Sequence, residues 1–190
     1  FKITNGGNVS NGGGIMINGA NVKVVSCYLT QNTATLSGGG IYMGGAPLIY
    51  NTLIVENSAG AGDYYAGGGG IYAETSGGTI SNCKIENNHS GRGAGICIWQ
   101  VEILIMNSEI LNNTSGDGCG LWGRHTNSNI VGTIIRGNDY GMDFTHGAPQ
   151  IDNSQFVNNL RGLKCFYSAP LINNSEFIGN ELYAINFHYN

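Results

Sequence analysis

The side chains able to do chemistry in this chain are few, and they recur at fixed offsets. Only 11% of the 190 residues are charged. Even so, Trp122 and Arg124, Asp143, and Lys164 and Phe166 each stand two or four residues after a glycine: Gly120, Gly141 and Gly162. Tyr42, Tyr72, Glu74 and Trp99 occupy the same offsets behind Gly40, Gly70 and Gly95. Aromatic planes mixed with ionisable groups suit a carbohydrate, because sugar C–H faces stack on rings while hydroxyls need charged or amide partners. That reading makes Tyr42, Tyr72, Glu74, Trp99, Trp122, Arg124 and Phe166 binding residues. A second reading takes Asp143, Lys164 and Arg124 as working groups of an enzyme, with Lys or Arg as the base. The bland alternative for both is a cross-strand aromatic ladder and a surface ion pair with no ligand.

The offsets come from a repeat that runs the length of the chain. One anchor is the apolar residue after a small one: Ile15, Ile41, Ile71, Ile96, Leu121, Met142, Leu163 and Ile185. A second anchor is Asn32, Asn57, Asn88, Asn113, Asn138, Asn159 and Asn180. The step from first to second anchor is 17 residues, except 16 from Ile41, whereas the return step varies from 4 to 14. Inside the constant arc, apolar residues alternate with period 2 and are β-branched or aromatic. Gly and Asn turns separate the runs. These features specify an all-β solenoid of about seven coils with three short strands per coil. The chain is then a single domain over residues 1–190, and the Asn column an inward ladder of stacked amides. Residues two after each anchor, such as Met43, Ile98 and Phe144, point inward with it. The intervening and following residues, which include the candidates above, point outward. Phe1 and Ile3 read as inward residues of a preceding coil.

Composition removes several classes. A net charge of −4 gives no basic stripe for nucleic acid. No apolar run approaches the roughly 20 residues of a membrane span; the longest candidate, Val101 to Met106, contains Glu102. The five cysteines do not pair by geometry. Cys27 and Cys83 share a column two coils apart, about 9.6 Å by strand spacing, beyond the reach of about 7 Å for a disulfide. Cys97 and Cys119 sit one coil apart but at different positions around the turn. His125 and His146 lie at matching places in successive coils and read as solvated turns or a shared site. No His/Cys cluster has zinc spacing. The long turn from Ser58 to Gly70 places Asp63, Tyr64 and Tyr65 at the edge of the outward face. The chain opens on Phe1, which reads as an excised part of something longer.

The segments Gly38 to Tyr42, Ala46 to Asn51, Ala148 to Asn159 and Ala169 to Asn180 resemble the right-handed parallel β-helix repeats of the pectate-lyase-like superfamily. They are also similar to repeats of polymorphic outer-membrane and adhesin-like proteins. The resemblance implies a right-handed coil and an extracellular or cell-surface location. It also implies either a polysaccharide-binding, adhesin or stalk role, or a lyase or hydrolase acting on an acidic polysaccharide. A lyase of this kind would call for Ca²⁺ on several carboxylates, and only Asp143 and Asp139 stand near. A hydrolase needs two carboxylates roughly 5 to 9.5 Å apart, whereas Glu74 and Asp143 fall three coils apart, roughly 14 Å by strand spacing. The Gly-His-Gly signature of polygalacturonase-like enzymes is only half present, at His146-Gly147. No cofactor other than that Ca²⁺ is expected, and the expected partner is a polysaccharide or cell-surface glycan.

Overall fold

A computed structural model describes residues 1–60, 66–115 and 119–188. Its strands form parallel sheets in which each strand pairs with the equivalent strand of the next coil. The anchor sheet has eight strands: Ile15–Asn18, Ile41–Gly44, Ile71–Glu74, Ile96–Trp99, Cys119–Arg124, Tyr140–Gly147, Arg161–Ser168 and Tyr183–His188. A second sheet runs from Lys23–Val25 to Leu171–Asn173, and a third from Lys2–Thr4 to Glu176–Ile178. Among the described residues no helix is long and apolar enough to cross a membrane.

The three large sheets supply the inward columns of the core, and the anchor sheet adds a second column through Met43, Ala73, Ile98 and Phe144. Ile41, Ile71, Ile96, Leu121, Met142 and Leu163 come from the anchor sheet. Ile49, Ile80, Ile105, Ile130 and Ile151 come from the second, and Leu29, Ile54, Ile85, Ile110, Ile135 and Phe156 from the third; all are fully buried. Like stacks on like because the coils are in register, as in Ile54↔Ile85↔Ile110↔Ile135. Burying an Ile or Leu side chain stabilises by about 1.5–3 kcal/mol, so these columns supply the main favourable term. Ile3 pairs with Leu29 and packs on the core as expected. Phe1 does not: it lies outside the strand and is 96% exposed.

The Asn ladder is present in full. Each buried amide Nδ2 donates to the Oδ1 of the next, from Asn32 through Asn57, Asn88, Asn113, Asn138 and Asn159 to Asn180. The backbone N–H of each donates to the same oxygen, as Asn88 does to Asn113 at 3.0 Å. The Asn column six residues earlier has a different job. Ser26, Asn51, Asn82, Asn107, Gly132, Asn153 and Asn174 all have φ between 45° and 58°. They make the corner between the second and third sheets, and Asn is the residue that tolerates that left-handed conformation best after Gly.

The glycine triplets also follow from packing. Gly38 has φ 67°, and a Cβ on Gly40 would sit 2.6 Å from the Gly70 carbonyl oxygen of the next coil. In place of three strands per coil throughout, the first coils carry a fourth. Thr33–Ala34, Ser58–Ala59, His89–Ser90 and Thr114–Ser115 form a small sheet just after the ladder Asn. Where the return turn shrinks to four or five steps, the anchor strands lengthen instead, to eight residues at Tyr140–Gly147 and Arg161–Ser168.

Candidate functional site

The anchor sheet carries two outward rows, and register fixes their members. The inner row is Met16, Tyr42, Tyr72, Cys97, Trp122, Asp143, Lys164 and Asn186. The outer row is Glu74, Trp99, Arg124, Thr145, Phe166 and His188. The expectation that both rows face solvent is corrected for the middle of the inner row: Tyr72, Cys97, Trp122 and Asp143 are 1–8% exposed. Tyr72, Cys97, Trp122 and Cys119 form a second apolar cluster outside the coil, with Tyr42, Trp99 and Tyr140 packed against it. Residues of the return turns lie over this row. Leu36, Ser37 and Ala66 stand beside Tyr42 and Tyr72, and Arg92 lies across the Trp122 ring. The outer row is half-exposed from Glu74 to Phe166.

The two indoles stack, with ring centroids 6.1 Å apart and planes at 8°. The Arg124 guanidinium lies 5.4 Å from the Trp99 ring and that of Arg92 5.8 Å from Trp122, both within cation–π range. Trp122 is therefore a floor, and Trp99 the indole that a ligand can reach. Tyr42 and Tyr72 stack at 5.6 Å, and both phenols donate to one carboxylate. The Tyr42 hydroxyl bonds Glu74 Oε1, and that of Tyr72 bonds Oε2 at 3.2 Å. Burial first, then the hydrogen bond and charge of Glu74, push the Tyr42 phenol up to about 12. Burial pushes Tyr72 up as well. A cleft of about 180 Å³ opens there, lined by Asn11, Leu36, Ser37, Ala66 and the Tyr42–Tyr72–Glu74 trio.

Asp143 and Lys164 are neighbours across the sheet, and Lys164 Nζ bonds Asp143 Oδ2 at 2.9 Å. Burial alone would lower the Lys164 pKa, but the hydrogen bond and charge of Asp143 outweigh it and raise the value. An amine held protonated is poorly suited to act as a base at neutral pH. Arg124 lies one row over, above Trp99. Glu74 and Asp143 are three strands apart and in different rows, so these two do not form a carboxylate pair. Glu102 is exposed and accepts a hydrogen bond from Asn127 at 3.0 Å, away from this face. Asp63, Tyr64 and Tyr65 lie outside the described residues. Among those described, no group of three or more His, Cys, Asp or Glu gathers as metal ligands.

None of the five cysteines is in a disulfide, as their spacing predicted. Burial pushes the Cys165 thiol up to about 12 and raises Cys83 and Cys97, which leaves them protonated. One group was undervalued at the sequence level. His125, His146 and Tyr167 form a stack along the corner beside the outer row, at 4.9 and 5.2 Å, and Phe166 meets Tyr167 edge-on at 4.4 Å. The three share a left-handed φ of 50–54° at one position in successive coils. Their equal offset behind Gly120, Gly141 and Gly162 was the available signal.

Searches of curated proteins and of solved structures return no match. A family model described as a right-handed beta helix region matches residues 63–190, more than half of the chain. The in-register parallel coils and the unbroken Asn ladder agree with that match, and the chain belongs to the right-handed β-helix family.

Proposed function

We propose that this β-helix is an extracellular or cell-surface module that binds polysaccharide along its anchor sheet, as part of an adhesin or stalk. The observation that carries the reading is the outer row. A carboxylate, an indole and a guanidinium stand half-exposed on successive coils, each about 4.8 Å further along the rod, and a phenyl group follows two coils on, past Thr145. A linear polymer lying along the axis meets a new side chain at every coil, over an aromatic floor already packed and desolvated. Binding to such a preformed surface costs less ordering than binding to loops.

The alternative, a lyase or hydrolase acting on an acidic polysaccharide, rests on Asp143, Lys164 and Arg124. The Asp143–Lys164 ion pair favours binding over catalysis, since each group neutralises the other and Lys164 stays charged. A glycan array probed with wild-type protein and with Trp99→Ala/Arg124→Ala tests the proposal. Binding to some polysaccharide, lost in the double variant, is the expected result. Wild-type protein that binds no glycan, or release of unsaturated or reducing-end products from an acidic polymer, would overturn it.

A further inference from the structure

The two carboxylates of the anchor sheet's outward rows are in opposite electrostatic situations. Asp143 is paired with Lys164 at 2.9 Å. Glu74 forms no ion pair with any described residue, and its hydrogen-bond partners are the two phenols. Those phenols hold one carboxylate oxygen each. An ionised carboxylate offers about four lone-pair sites, so acceptor capacity remains. The raised values of Tyr42 and Tyr72 keep both hydroxyls protonated as donors, so they orient the carboxylate without adding charge. Glu74 is half-buried in the cleft, with the stacked Tyr42–Tyr72 rings beside it. A fixed negative charge framed by aromatic rings, with an opening of about 180 Å³, is complementary to an ammonium group.

We infer that the Tyr42–Tyr72–Glu74 cleft is a binding site for an ammonium group, carried by an amino sugar with a free amine. The amino-sugar identity rests on the reading of the anchor sheet as a glycan surface; the preference for a cation rests on the cleft alone. Glu74 also heads the outer row, next to Trp99. An amino sugar in the cleft therefore places its neighbour along the chain against the exposed indole. Leu36 and Ala66 supply apolar walls for the ring, while Asn11 and Ser37 offer polar atoms to hydroxyls.

Calorimetric titration of the whole chain with β-1,4-linked glucosamine oligomers and with their N-acetylated counterparts tests the inference. Methylammonium chloride serves as a small-ion arm followed by NMR. The free-amine oligomer should bind more tightly by on the order of tenfold. Glu74→Gln should abolish that preference and the methylammonium response, whereas Tyr42→Phe, which keeps ring and carboxylate, should retain the preference. If Glu74→Gln melts early, Glu74→Asp, which retracts the carboxylate, should weaken the preference in a folded protein. Equal affinity for both oligomers, unchanged in Glu74→Gln, overturns the ammonium site and leaves the glycan surface standing. A methylammonium response lost in Glu74→Gln, with no oligomer bound, supports the ammonium site and removes the glycan reading.

Discussion

Asn113 shows at the scale of one residue what the ladder is worth. Its Oδ1 accepts from the backbone and side-chain nitrogens of Asn88, and its Nδ2 donates to the Ile85 carbonyl and to Asn138. Asn113→Ala strands several buried polar groups at about 1–3 kcal/mol each. We therefore expect a loss of at least about 3 kcal/mol in denaturant unfolding, against about 0.5 kcal/mol or less for the exposed Asn129→Ala. Equal effects would mean that the amides do not carry the coil. At His125, slight burial and then the charges of His146 and Arg124 lower the pKa below its ordinary 6.5. A folded value below the unfolded one means stability is intact above 6.5 and lost as pH falls through the lower value. The unfolding midpoint of His125→Gln should therefore fall less on acidification than that of the wild type. Parallel pH profiles would contradict the assignment. The ladder Asn were readable in the sequence because a constant step of 17 residues repeats them. The equal offset of His125 and His146 was readable too, whereas their stacking was not, because two residues at equal offset stack only if the corner gives both the same left-handed backbone.

At the scale of elements, the anchor strand and its preceding corner are the constant part of each coil. Gly40→Ala puts a methyl group 2.6 Å from a backbone carbonyl oxygen that cannot move away without breaking the register. We expect a cost of about 1–3 kcal/mol, whereas a substitution at Gly19, where nothing lies within 4 Å of the added carbon, costs only its left-handed φ. The buried outward cluster makes a second test at this scale. Cys83, Cys97, Cys119 and Cys165 are buried and Cys27 is partly exposed. A thiol reagent should titrate one cysteine in the native protein and all five after unfolding. Rapid reaction of Cys97 or Cys119 would show that the inner row is open. The strands and their facing were legible because period 2 and a fixed offset define them. The burial of Tyr72 and Trp122 was not, because the covering residues Leu36, Ala66 and Arg92 come from return turns whose length and composition change from coil to coil. The small fourth sheet was not legible for the same reason.

Across the whole molecule, each described strand pairs only with the equivalent strands of adjacent coils, so the rod behaves as a one-dimensional stack. In the proposed reading, the ligand meets what the stack displays in rows. The anchor sheet concentrates the half-exposed aromatic and charged side chains in its outer row, above a floor that is already packed. The fold follows from the repeat, whereas the choice of ligand depends on a handful of outward positions that the repeat leaves free to vary. The central claim is that glycan binds along that outer row. Its most direct test is amide shift mapping by NMR, titrating the protein with the tightest array ligand. Shifts are expected at Glu74, Trp99, Arg124 and Phe166, with the second and third sheets unmoved. Shifts confined to the second or third sheet, or none at saturating ligand, would contradict it.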